Sequence, residues 1–293
     1  MSKIWLSLAH MGGSEQEFVR EALETNWVVP LGPNVDGFEH DLSQWLSTHC
    51  DQEVHAVALS SGTAAIHLAL IMLGVSKGDE VICQSFTFAA SANPICYQGA
   101  TPIFVDSEPD TWNMDPILLE QAICDRMKQT GLKPKAILPV HLYGTPAHMN
   151  EICGIASRYG IPVVEDAAEA MGTVYDGRYC GTFGQYGIFS FNGNKMITTS
   201  GGGALLCHTE EEARRVKFYA TQAREPFPWY QHEQIGYNYR LSNVSAGIGR
   251  GQMRVVDNHI ARRRSIHRLY TELLAGLPGI TVVEPKKSTM FLP

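Results

Sequence analysis

The sequence has no long apolar run: its most apolar stretch, residues 64–74, is far shorter than the ~18 residues a bilayer-spanning helix needs, so no membrane insertion is expected. It has no excess of base either. Thirty acidic against 23 basic residues give a net charge of -7, which offers no overall attraction to nucleic acid, and any phosphate must be bound locally. Cysteine is scattered, at 50, 83, 96, 124, 153, 180 and 207, with no CxxC pair and no clustering of the kind that ligates zinc. The seven read as reduced, partly buried small residues, and no metal site is expected. Residues 1–8 lack the basic stretch, apolar run and small-residue cleavage site of a secretory signal, which makes the cytoplasm the expected location. Internal repeats and low-complexity tracts are also lacking.

What is present is the composition of a well-packed globular protein, 44% hydrophobic and 18% charged over 293 residues. That length suits one large α/β domain with a smaller lobe. After Gly12 and Gly13, Ser14 followed by Glu17 predicts a capping box and a helix to about Glu24. Pro30, Gly32, Pro33 and Gly37 predict irregular structure over 26–37. From 54 onward short apolar runs at 54–59, 80–83, 102–105, 136–140 and 162–164 are each followed by a helical pattern, which predicts a mostly parallel sheet covered by helices. Further strands are expected around Phe189 and over 204–207, joined by the glycines of 201–203. Helices are expected over 210–221 and 258–277. Ligands of open α/β sheets bind beyond the carboxyl ends of strands, so the polar residues there are the candidates.

Three such segments carry chemistry. SSGTAA at 60–65 follows a strand and opens a helix, so free backbone N–H groups and hydroxyls converge as in an anion site. An ordinary Ser-capped helix start fits the same letters. VVEDAAE at 163–169 delivers Asp166 at a strand end, followed by small residues that let a planar group approach. A buried carboxylate needs a cationic partner, and a protonated pyridine nitrogen is one; a helix N-cap is the alternative. FSFNGNK at 189–195 places Lys195 among small polar residues after an apolar run, where desolvation or a nearby cation would lower its pKa for Schiff-base chemistry. A surface lysine is the alternative.

Taken in order, SSGTAAIHLAL, VVEDAAEAMG and SFNGNKMITTSGGGALL resemble the DegT/DnrJ/EryC1/StrS family of sugar aminotransferases. The opening HMGG, FV and TNWVVPLGPNVDGFE resembles its nucleotide-sugar 4-aminotransferases, and the likeness runs from about Ile4 to about Leu277. The resemblance implies the type I fold of pyridoxal 5'-phosphate (PLP) transferases, aspartate aminotransferase-like, with a mostly parallel mixed sheet and helices on both faces. It implies a large PLP-binding domain over 1–250, in which 1–37 contributes a substrate loop, and the start of a small lobe over 251–293, incomplete because family chains continue further.

By the same resemblance Lys195 is the Schiff-base lysine and proton carrier, and Asp166 pairs with the pyridine nitrogen. Glu169 falls where a side chain meets the ring's 3-oxygen, and Phe88 where an aromatic stacks on the ring. Gly62, Thr63 and Ser190 would bind the phosphate. Asn238 resembles an asparagine reaching the phosphate from a neighbouring subunit, which implies a homodimer with shared sites. Asn26 and Trp27, with 30–32, are candidates to meet the nucleotide sugar, and so are His141 and Tyr143 at a strand end. A strand-end histidine, a core phenylalanine and a polar turn are the plain alternatives for His141, Phe88 and Asn238.

The reaction implied moves an amino group from L-glutamate to a keto group of a nucleotide-linked sugar, at C4 of a UDP-linked 4-keto-6-deoxy-N-acetylhexosamine. A 3-aminotransferase remains open, as does a silent subunit left by C-terminal loss. A sugar dehydratase of the family carries histidine in place of the lysine, and Lys195 argues against it. The glycines of 201–203 lack the G-x-G-x-x-G spacing of a dinucleotide-binding oxidoreductase.

Overall fold

The computed structural model describes all residues except 1, 2, 4, 49, 51, 52, 283–289, 292 and 293. Ile4 in the opening segment, and most of 283–293 in the expected small lobe, therefore lie outside the described residues. The chain forms two compact units, Met1–Leu68 with Ile188–Val256, and Ala69–Gly187 with Asp257–Pro293.

The first unit begins with α1 (Glu15–Glu24) and α2 (Pro33–Ser47), then β1 (His55–Leu59) and the start of α3 (Gly62–Met72). The Ser14 hydroxyl makes no cap hydrogen bond. Instead the Glu15 carboxylate accepts the N–H groups of Gly12 and Gly13, both at 2.7 Å. The predicted loop over 26–37 ends early because Pro33 starts α2: proline is favoured in a first helical turn, where its missing N–H has no partner to lose.

The second unit takes up the chain with β2 (Glu80–Gln84), α4 (Ala89–Tyr97), β3 (Thr101–Val105), α5 (Pro116–Thr130), β4 (Ala136–Leu138), α6 (Met149–Tyr159) and β5 (Val164–Asp166). Strands β3 and β4 flank β2, both parallel to it. Parallel bridges Ile137–Val163 and Val140–Asp166 add the β5 segment beside β4. Parallel neighbours need covered crossovers, which α4, α5 and α6 supply in chain order. The short β6 (Val174–Tyr175) and β7 (Arg178–Tyr179) form an antiparallel pair.

The chain passes through β8 (Tyr186–Ser190) back into the first unit, where β9 (Gly203–Cys207) runs antiparallel to β1. Helices α7 (Glu210–Ala220) and α8 (Asn243–Met253) complete that unit. A reciprocal capping box, Thr209 with Glu212, starts α7. Helix α9 (Val256–Leu274) returns to the second unit, and β10 (Met290–Phe291) pairs with β6.

Helix α8 has no strong sequence signature, since three glycines at alternate positions each cost about 1 kcal/mol of helix propensity. Packing requires them. A Cβ on Gly249 would stand 2.7 Å from the Phe38 ring, and one on Gly251 2.6 Å from the Glu15 backbone. Bare glycine thus lets α1 and α2 approach α8 closely. Phe38 in turn meets Phe191 edge-on at 5.2 Å, and both are fully buried.

All seven cysteines are free thiols; Cys83, Cys180 and Cys207 are buried. Among the described residues no helix is long and apolar enough to cross a membrane.

Candidate functional site

The first unit gathers the residues expected to hold a phosphate. Ser60 donates its N–H to Tyr239 O at 2.8 Å where β1 ends, and the Ser61 hydroxyl accepts the N–H of Ala64 at 3.0 Å as α3 begins. The α3 first turn carries no acidic side chain, as suits a helix end whose N–H groups and positive dipole would bind an anion. A Cβ on Gly62 would lie 3.3 Å from Ser190 Cβ, so the cradle and the end of β8 are close neighbours. Asn238 is exposed on the segment whose next residue, Tyr239, accepts the Ser60 N–H.

Lys195 sits half-buried on a turn just past β8, its N–H donated to Asn192 O at 3.0 Å. The loop carrying it is closed at the neck: Phe191 donates to Gly202 O at 2.9 Å and accepts from Thr199 N at 3.0 Å. Its far side is tied to α8, because Thr198 N donates to the Gln252 amide oxygen at 3.3 Å. The Gln252 amide nitrogen donates to His10 O at 2.9 Å and to Glu15 Oε1 at 2.5 Å. Burial works against ionisation of Glu15, but the Gly12 N–H and Gln252 hold its carboxyl below the ordinary range. The lysine's loop is therefore fastened through one buried amide to the start of α1.

Of the candidate substrate contacts in this unit, Asn26 has a left-handed φ of 57° because it ends α1, with Trp27 N donating back to Ala22 O at 2.9 Å, a helix end that asparagine adopts readily. Trp27 follows, partly exposed. Their loop is pinned by buried Asn243, which donates to Trp27 O at 3.0 Å and accepts from Asn34 N at 2.9 Å.

The second unit holds the carboxylate and the aromatic. Asp166 ends β5, only 6% exposed. Its Oδ2 accepts the Ser91 hydroxyl at 2.6 Å and its Oδ1 the N–H of Ala168 at 3.2 Å. Phe88 is 81% exposed at the start of α4, so its ring face is available rather than part of the core. Glu169 accepts the N–H of Tyr143 at 3.1 Å. Tyr143 is 71% exposed and held at φ 52° within a short 3-10 turn, Leu142–Gly144. Such strain persists only where surroundings enforce it, as the Glu169 contact does here.

His141 is different. It has no exposed surface, its Nε2 meets Glu165 Oε2 at 3.0 Å, and its Nδ1 accepts the Ala147 N–H at 3.1 Å. The Nδ1 contact leaves the proton on Nε2, so both ring nitrogens are engaged inside the protein. The structure thus gives His141 an internal anchoring role in place of the expected substrate contact. Glu165 also accepts the N–H groups of Gly181, Phe183 and Gly184 at 2.6–2.8 Å.

Sequence reasoning missed the buried polar supports: Ser91 beneath Asp166, Gln252 behind the lysine's loop, Asn243 under the Trp27 loop. The one available signal was Thr87 and Ser91, two hydroxyls four residues apart after an apolar strand. The residues present fit a phosphorylated pyridine aldehyde. One unit offers an amine and an anion cradle free of acidic side chains, and the other offers a hydrogen-bonded buried carboxylate and an exposed aromatic ring.

Comparison with known proteins agrees. Residues 10–291 match the model of the DegT/DnrJ/EryC1/StrS aminotransferase family. EpsN of Bacillus subtilis, described as a pyridoxal phosphate-dependent aminotransferase, is 52% identical over 95% of this chain and 70% of its own length. The GDP-perosamine synthase of Caulobacter vibrioides is 38% identical over 97% of this chain and 73% of its own. Spr1654 of Streptococcus pneumoniae, described as a sugar aminotransferase and solved in its PMP-form, superposes with a TM-score of 0.88 at 27% identity over 98% of this chain and 76% of that one. The alternation of strands and helices, the lysine and the carboxylate at strand ends and these likenesses converge: the chain belongs to the DegT/DnrJ/EryC1/StrS aminotransferase family, with the type I fold and PLP as its cofactor, and is a sugar aminotransferase.

Proposed function

We propose that the protein transfers an amino group from L-glutamate to the C4 keto group of a UDP-linked 4-keto-6-deoxy-N-acetylhexosamine, working in the cytoplasm as a homodimer. PLP, when bound, supplies the electron sink into which a substrate carbon releases its bonding pair. Lys195 holds the cofactor through its ε-amine and, once displaced, carries the proton between substrate carbon and cofactor. Asp166 keeps the proton on the ring nitrogen. Gly62, Thr63 and Ser190 bind the phosphate through N–H and hydroxyl groups, and Asn238 reaches the phosphate bound by the partner copy.

Phe88 covers a ring face and excludes water from it, while Glu169 meets the ring oxygen and steadies Tyr143. Asn26, Trp27 and Tyr143 meet the sugar nucleotide. In this reading 1–250 form the cofactor domain and the stretch from 251 opens a small lobe. The observation that carries the reading is the buried, hydroxyl-bonded Asp166 at the end of β5, in a chain that also places Lys195 among small residues just past β8.

A second reading concerns the base. The 38% identical relative is by name a synthase of a GDP-linked sugar, which favours GDP in place of UDP. One experiment tests both levels. Wild type and Lys195→Ala are loaded with PLP; one portion of each is treated with borohydride and a separate, unreduced portion is offered L-glutamate. Covalent fixation is expected in wild type alone, with the glutamate half-reaction slowed about 10²–10⁴-fold in the variant. The amine form is then titrated with UDP-, GDP- and dTDP-linked 4-keto and 3-keto sugars; return of the aldehyde spectrum identifies base and ring position. Equal glutamate turnover by Lys195→Ala would end the proposal.

A further inference from the structure

Ser91 is fully buried on the first turn of α4 and donates to Asp166 Oδ2 at 2.6 Å. Its oxygen lies 2.7 Å from Thr87 Oγ1. A serine hydroxyl has one proton, and with that proton given to Asp166 it can only accept from Thr87. The three groups therefore form a directed chain, Thr87 O–H to Ser91 O–H to carboxylate. Thr87 itself is half-buried, so the chain runs from the edge of the unit to the buried carboxylate. Hydrogen bonds in series polarise one another, and one donated to an ionised oxygen favours the charged form.

Three neighbouring groups play different parts. The Ala168 N–H occupies Oδ1. Cys83 on β2 feels the Asp166 charge, but burial first and that charge second push its thiol up to about 12, so it stays neutral. The neighbouring Glu165 is turned toward His141 and the amides of 181–184.

We propose that Thr87 and Ser91 are positioning residues that lower the proton affinity of Asp166, so that the proton shared with the cofactor's ring nitrogen stays on the ring. This rests on the reading of Asp166 given above. Without the Ser91 donor the carboxylate binds its proton more tightly and draws it off the ring. The ring then withdraws fewer electrons, and the nitrogen joining Lys195 to the cofactor becomes more basic.

The test is a spectrophotometric pH titration of the lysine-bound chromophore in wild type, Ser91→Ala, Thr87→Val and Asp166→Asn, with thermal midpoints of the cofactor-free proteins beside it. Ser91→Ala is expected to raise the chromophore's midpoint by about one pH unit, a tenfold change in proton affinity. Thr87→Val should raise it by a smaller amount and Asp166→Asn by at least as much as Ser91→Ala. A lowered thermal midpoint with an unmoved chromophore in Ser91→Ala is a packing role only and overturns the proposal. A flat Thr87→Val beside a shifted Ser91→Ala overturns it as a relay. If Ser91→Ala fails to fold, Thr87→Val decides the matter by the same shift. An unmoved Asp166→Asn strikes at the reading of Asp166 itself, whereas a moved Asp166→Asn with both hydroxyl variants unmoved strikes at the relay alone.

Discussion

The two units rely on the same two devices, bare glycine and buried polar partners, at different places. In the first, bare glycines at 203, 249 and 251 let backbones and rings approach where a Cβ would collide, while the Gln252 amide fastens the lysine's loop. In the second, bare Gly184 and Gly187 meet backbone in the same way, while buried Glu165, His141, Ser91 and Gln84 each engage more than one polar group. The lesson is that added atoms should hurt at the bare glycines and lost partners at the buried polar groups, in either unit.

The largest stability effect is expected from Glu165→Gln. The carboxylate accepts four hydrogen bonds in a site with no exposed surface, and an amide there would point N–H at N–H. Breaking such a site costs about 3–5 kcal/mol, read as a lower denaturant midpoint at pH 7. A pH series sharpens this. Burial opposes the charge, but His141 and the amides of Gly184 and Gly181 outweigh it, so the folded pKa lies below the ordinary 4.5. A lowered carboxyl contributes stability that is present above 4.5 and is lost as pH falls through the folded value. Wild type should therefore lose stability on the acid side more steeply than the variant; parallel acid limbs would break the comparison.

Gly203→Ala comes next. A Cβ there would land on the Gly62 nitrogen and the Ser61 carbonyl carbon, backbone atoms that cannot turn aside. Such overpacking costs about 1–3 kcal/mol, with loosened phosphate binding as its local sign. Gly193→Ala, two residues before the lysine, meets nothing within 4 Å and should change thermal stability by no more than a few tenths of a kcal/mol. Equal losses for the two would mean that bare space is not what holds the cradle.

The smallest effect separates two serine/threonine helix starts that look alike in sequence. Thr209 accepts the Glu212 N–H and closes a full capping box, so Thr209→Ala should cost about 1 kcal/mol. Ser14 makes no cap bond, so Ser14→Ala should cost only a few tenths, measured by thermal unfolding.

Those two starts show where reading the letters succeeds and fails. The runs at 54–59, 80–83 and 102–105 become β1, β2 and β3 with ends shifted by at most one residue, because apolar content and run length set a strand locally. The run at 162–164 appears as a strand shifted toward Asp166. Helix α8 was not legible, since its glycines make sense only beside Phe38 and Glu15, more than two hundred residues earlier. The early end of the 26–37 loop was not legible either, because a proline reads alike as a breaker and as a first-turn residue.

By itself the sequence determined the order of strands and helices and the candidate groups near their ends: a primary amine at 195, a carboxylate at 166, a helix start at 62 without acidic residues in its first turn. Tertiary structure alone decided which polar side chains remain available. His141 and Ser91 are equally polar on paper, yet one is locked between Glu165 and Ala147 and the other supports Asp166. A hydrogen-bond partner is chosen by distance in space, and segments remote along the chain set that distance.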